Sequence, residues 1–98
     1  MEQRKNRRFD LRLPMEIVGD SRNEARGETR NVSSCGVLFA SKRPVGIGDP
    51  IEYLISLPKA PGARMNVRLR CIGTVVRNTE SAQFAATMER YEFLRENA

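Results

Sequence analysis

The chain has 98 residues, 40% hydrophobic and 30% charged, with a net charge of +5, two cysteines and neither histidine nor tryptophan. A chain this short closes around one core, so it reads as a single domain over 1–98. Two cysteines without a histidine exclude a zinc site and leave too few thiols for a disulfide framework, and no run approaches the roughly 20 apolar residues of a membrane span.

Residues 1–9 form a basic arm without hydrophobic period. Arg4, Lys5, Arg7, Arg8 and Arg12 face only Glu2 and Asp10, which gives the first twelve residues a charge of +3. Such a local excess asks for an anionic partner. Leu11, Leu13, Met15 and Ile17 then alternate with polar residues, the period of a half-buried strand. Pro14 has no amide hydrogen, which predicts an edge strand or an outward-turned position there. The run Phe9 to Val18 is broken by Asp10, Arg12, Pro14 and Glu16 and does not read as a secretory signal. The expectation is a soluble cytoplasmic protein with Cys35 and Cys71 reduced and packed.

Gly19-Asp20-Ser21 supplies a turn, 24–32 a short polar strand, and Gly36 to Ala40 begins a third strand. The breaker-rich stretch Arg43 to Pro50 is a loop. Ile51, Tyr53, Ile55 and Leu57 are in phase on a fourth strand, and Pro58 to Ala63 turns the chain. Met65, Val67, Leu69 and Cys71 alternate on a fifth, whose phase becomes ambiguous around Gly73, predicting a bulge. Gln83 to Met88 is a sixth strand. Met88, Tyr91 and Leu94 recur three apart, which predicts a helix over 89–97. The sum is mainly β: a small six-stranded antiparallel barrel over 10–88, a C-terminal helix and a flexible basic N-terminal arm. Phe39, Tyr53 and Phe84 fall in apolar phase and read as core.

Catalytic chemistry finds no support. The commonest general base is missing, Ser33 and Ser34 have no base partner, and Cys35 has no histidine to activate it. Gly46 and Gly48 are not followed by the Gly-Lys-Ser/Thr of a phosphate loop. Glu24 and Glu28 lie among arginines and read as surface pairing.

Two short motifs carry more information. Arg4-Lys5-Asn6-Arg7-Arg8 is an RxxxR spacing, and Asn31-Val32-Ser33-Ser34-Cys35-Gly36 is an N-x-S-x-x-G spacing. Guanidiniums suit anionic oxygens and flat rings. An amide, a hydroxyl and a glycine suit the polar edge of a planar base. A ligand with phosphates and purines satisfies both.

In these two motifs, in this order, the chain resembles the PilZ domains, bacterial receptors of cyclic di-GMP. Arg4, Arg8, Asn31, Ser33 and Gly36 match the family's RxxxR and D/N-x-S-x-x-G positions, and Phe9 and Gly73-Thr74-Val75-Val76-Arg77 resemble the family as well. The resemblance implies a barrel that binds cyclic di-GMP without a further cofactor, the arm ordering over the ligand and signalling to an effector protein. Gly36 is expected to let the backbone turn and to leave the ligand room. Three departures stand out: Asn31 where aspartate is common, Cys35 where a second glycine is frequent, and no Leu-Gly or Ile-Gly step before Phe84. Two other readings compete, a basic barrel that binds nucleic acid and a PilZ-like adaptor that binds only protein. Arg77 reads as an ordinary strand-surface residue.

Overall fold

The computed structural model describes residues 9–18, 25–41, 45–78 and 82–97. Their backbone is organised by alternation of apolar and polar side chains into strands β1 (Pro14–Val18), β2 (Ala25–Ser33), β3 (Gly36–Ser41), β4 (Pro50–Ser56), β5 (Met65–Asn78), β6 (Gln83–Thr87) and β7 (Arg90–Asn97). Neighbours pair in the order β4-β1-β2-β3-β6-β5, and β4 returns to pair with β5, so the first six strands close an antiparallel barrel. No helix among these residues is long and apolar enough to cross a membrane.

Inward positions recur at period two. Met15 and Ile17, Val37 and Phe39, Ile51, Tyr53 and Ile55, Leu69, Cys71 and Val75, and Phe84 and Ala86 form the buried cluster. Phe39 sits at its centre, its ring 6.4 Å from that of Tyr53 and 5.7 Å from that of Phe84. The three aromatics are core, as their phase predicts. The Tyr53 hydroxyl donates to the Thr87 carbonyl at 3.0 Å, which satisfies the only polar atom that ring brings inside.

Three expectations change. The first strand is not an edge: β1 pairs with β2 on one side and β4 on the other. Pro14 is tolerated because it heads the strand, opposite Glu28, where a missing donor interrupts little. Leu11 and Leu13 precede the strand and are tied instead to the buried Thr29. The Leu13 amide donates to Thr29 Oγ1 at 2.9 Å, the Thr29 amide to the Leu13 carbonyl at 2.9 Å, and the Thr29 hydroxyl to the Leu11 carbonyl.

The C-terminal helix predicted over 89–97 is a strand. β5 is 14 residues long; β6 covers only its end, Val75–Asn78, and β7 covers Met65–Ile72. β7 therefore continues the line of β6 along the same neighbour. The long bare edge of β5 offers eight residues a hydrogen-bonded ladder, and two ion pairs reinforce it. Arg70 Nη1 reaches Glu92 Oε1 at 3.0 Å, and Arg68 holds both oxygens of Glu96 at 2.9 Å. Tertiary pairing overrides a spacing of three in so short a run.

The third change concerns the thiols. Cys71 is packed, whereas Cys35 is exposed in the β2–β3 turn; neither is in a disulfide.

Candidate functional site

Two β-bulges place the residues of interest. Thr29 stands opposite Phe39 and Asn31 opposite Leu38, so Arg30 is an extra residue in β2. The insertion reverses the inside–outside phase. Thr29 is buried, but beyond the bulge Val32 packs on the core, and Asn31 and Ser33 turn to the outer face. A second bulge repeats the device in β5. Val75 stands opposite Ala86 and is buried; Arg77 stands opposite Ala85 and is exposed, with Val76 the extra residue. The predicted bulge thus lies just past Gly73, which remains in inward phase. Its role is close approach: a Cβ there would lie 1.8 Å from the Thr87 carbonyl oxygen.

The two phase reversals bring one row of opposed residues onto the outer face. Asn31, Leu38, Ala85 and Arg77 are successive partners across β2, β3, β6 and β5. Three strand spacings of about 4.8 Å separate its ends by about 14 Å. The next row is Ser33, Gly36 and Thr87. Gly36 and Ala85 in the middle of these rows leave a groove of about 460 Å³ beside Leu38, lined also by Asn31, Ser33, Cys35, Arg77 and Thr87. That volume lies in the range of small-molecule sites.

The three expected residues of the second motif have definite places. Asn31 is half-buried in the groove wall. The Ser33 hydroxyl accepts from the Cys35 amide at 3.4 Å and donates to the Gly36 carbonyl at 3.3 Å. These long bonds shape the turn and are weak enough to exchange for a ligand. Gly36 is not in the left-handed region, since positive φ among the described residues occurs at Ala82, Gly48 and Gly62. Its lack of a side chain matters through proximity, because a Cβ would lie 2.7 Å from the Ala86 carbonyl oxygen. Cys35 likewise has no positive φ, so the glycine frequent at that position is not demanded by this turn.

Arg4 and Arg8 lie outside the described residues. The described chain begins at Phe9, which exchanges two backbone hydrogen bonds with Val32, at 2.8 and 2.9 Å. Val32 lies between Asn31 and Ser33, so the N-terminal segment is fastened to the wall of the groove, one residue from Arg8.

Arg77, read from the sequence as an ordinary strand-surface residue, is exposed and lines the groove. Arg68 is paired with Glu16 and Glu96, and Arg70 with Glu52 and Glu92. The Glu52 contact, followed by that of Glu92, raises the pKa of the Arg70 guanidinium further. Glu28 pairs with Arg12 and Arg30, the surface pairing expected of it. Among the described residues none forms an ion pair with Arg77, which faces the groove with its charge available. Thr87 at the far wall is fixed by neighbours. Its hydroxyl accepts from the Thr74 amide at 2.9 Å and donates to Glu89 Oε2 at 2.6 Å. The hydroxyls of Thr87 and then Thr74 hold the Glu89 carboxyl below its ordinary pKa.

Comparison with solved structures finds the same fold in the inhibitor of motility MotI/DgrA of Bacillus subtilis, with a TM-score of 0.71 and 18% identity over 94% of this chain and 45% of that one. The chain thus spans less than half of that protein. No curated protein matches closely enough to serve as a relative. At the level of families, the PilZ domain matches residues 2–95, and the chain belongs to the PilZ domain family.

Proposed function

We propose that this chain is a cyclic di-GMP receptor and that the groove between the two bulges is its binding site. PilZ domains are binding modules, generally for this second messenger, rather than enzymes. The observation that carries the reading is the outer-face row that brings Asn31 and Arg77 to one groove whose wall also fastens the N-terminal segment at Phe9.

In this reading Asn31 and Ser33 bond the polar edge of a guanine, and the bare Gly36 leaves the base room against the sheet. Arg77 pairs with a phosphate or stacks on the second base. Arg4 and Arg8 close over the ligand from the segment that enters at Phe9, and that closure changes the surface offered to an effector protein. Each charge-assisted hydrogen bond contributes about 1.5–3 kcal/mol. Three or four reach about −8 kcal/mol, the scale of micromolar binding, after the cost of ordering the arm.

The test is isothermal titration with cyclic di-GMP at about 150 mM salt, an ionic strength that screens non-specific attraction. GTP, cyclic di-AMP and a single-stranded oligonucleotide serve as controls. Saturable heat with cyclic di-GMP alone supports the reading. Heat with the oligonucleotide, strongly dependent on salt, replaces it with a nucleic-acid module. No heat with any of them leaves a domain that binds only protein.

A further inference from the structure

β7 has a free edge. Among the described residues it pairs only with β5, and its inward-phase aromatics, Tyr91 and Phe93, lie beyond the rim of the barrel, 60% and 52% exposed. The two rings meet edge to face with centroids 6.1 Å apart. They leave an apolar face beside an unpaired ladder, the arrangement that invites another strand.

The direction of that ladder follows from the hydrogen bonds of β5. The Leu57 amide donates to the Val67 carbonyl and the Val75 amide to the Asp49 carbonyl, each at 3.0 Å. Odd-numbered residues of β5 therefore direct their backbone groups at β4. Its even-numbered residues serve β7, where Arg70 stands opposite Glu92 and Arg68 opposite Leu94. In β7 the even positions are thus used, and Tyr91, Phe93 and Arg95 direct their N–H and C=O groups outward.

The charges select the occupant. Two copies of β7 related by a two-fold axis perpendicular to the sheet run antiparallel, with one residue opposite itself. With Glu92 on the axis, two carboxylates collide; with Leu94 there, Glu92 meets Glu96 twice; with Arg95, two guanidiniums collide. With Tyr91 there the overlap is short, because the chain turns into β6 just beyond it. With Phe93 on the axis no like charges meet, and Glu92 stands opposite Leu94. Phe93 meets Phe93 in a hydrogen-bonded pair, Tyr91 meets Arg95 as ring and cation, and Arg90 meets Glu96, each cross-pair occurring twice.

We infer that β7 is a homodimerisation edge, joining two barrels into one continuous sheet with Phe93 on the two-fold axis. Among these registers this one alone combines a long overlap of Arg90-Tyr91-Glu92-Phe93-Leu94-Arg95-Glu96 with no opposed like charges. The edge lies away from the groove and does not depend on the ligand proposed for it.

Sedimentation equilibrium of the 98-residue chain from micromolar to millimolar concentration tests this. A reversible dimer is expected. Arg90→Glu sets two like-charged pairs across the axis and is expected to weaken dimerisation on the order of tenfold or more. Adding Glu96→Arg to it restores opposite charges and is expected to restore association. Phe93→Pro removes an outward amide that β5 does not use, and is expected to give a folded monomer, checked by circular dichroism. A chain that is monomeric throughout, with the amides of Tyr91 and Phe93 protected from hydrogen exchange, has its edge covered by its own residues and overturns the inference. So does a dimer indifferent to Arg90→Glu and Phe93→Pro.

Discussion

Asn31 and Arg77 are the two ends of one cross-strand row, brought to the same outer face because each follows a bulge in its own strand. Remove either bulge and one of the two would turn into the core. The geometry predicts that both serve one ligand. Arg77→Ala is expected to weaken cyclic di-GMP binding roughly 10–150-fold, the loss of one charge-assisted bond of about 1.5–3 kcal/mol. The side chain is exposed, so the melting temperature should stay unchanged. Titration calorimetry beside a thermal melt separates the two effects, and an unaltered affinity removes Arg77 from the site.

Asn31→Asp makes the opposite prediction. The carboxylate keeps the shape of the amide and adds charge to the acceptor proposed to meet guanine N–H groups. Hydrogen bonds to charged groups exceed neutral ones by about 1 kcal/mol, so affinity is expected to rise about fivefold. Weaker binding by Asn31→Asp would mean that the amide acts here as a donor.

Much of this was legible because strands announce themselves by phase. Met15 and Ile17, or Ile51, Tyr53 and Ile55, needed only alternation to be assigned inward. The resemblance to the family likewise rests on Arg4 and Arg8, outside the described residues, and on Asn31, Ser33 and Gly36, which the fold gathers around one groove. The sequence signals the bulge near Gly73 but not the residue at which the phase reverses. Val75, Val76 and Arg77 read equally well with either parity, and only pairing with Ala86 and Ala85 decides that Arg77 faces outward. The C-terminal segment failed for a related reason. In eight residues, Met88, Tyr91 and Leu94 at a spacing of three compete with Tyr91 and Phe93 at a spacing of two. The choice was made by the uncovered length of β5, a fact about another segment. Exposure of Cys35 was hidden in the same way, by a turn whose direction depends on the Arg30 bulge.

Stability should fall in alkali. Burial, ahead of the neighbouring Cys71, pushes the Tyr53 hydroxyl well above its ordinary pKa, and burial pushes the Cys71 thiol up to about 11 from 9.0. Both groups are neutral in the folded barrel and ionise first in the unfolded chain. Their contribution is whole below the unfolded values and is lost as pH rises through them. The window for Cys71 runs from about 9 to 11. Each such proton costs about 1.4 kcal/mol per pH unit within its window. Urea unfolding at several pH values should show that decline, and Cys71→Ala should flatten it between 9 and 10 and leave the part due to Tyr53 above 10. A stability independent of pH there would mean that the thiol ionises equally well when folded.

The segment that leads from Phe9 into β1 rests on Thr29. Its hydroxyl receives the Leu13 amide and donates to the Leu11 carbonyl, the two backbone groups that precede β1, in a residue with no exposed surface. Thr29→Val keeps the volume and removes both bonds, leaving part-buried polar groups unsatisfied at a cost of about 1–3 kcal/mol. For a domain of this size each kcal/mol lowers the melting temperature by about 4–8 °C. A second effect follows from where the segment leads. Leu11 connects to Phe9, whose pairing with Val32 fastens the chain beside Asn31 and Ser33. Loosening residues 11–13 raises the entropy that binding must remove, so the valine variant is expected to lose affinity for cyclic di-GMP although it touches no ligand. Hydrogen exchange at Leu13 and Val32 distinguishes the cases. Faster exchange at both with weaker binding supports a fastened arm, whereas faster exchange at Leu13 with unchanged affinity confines Thr29 to stability alone.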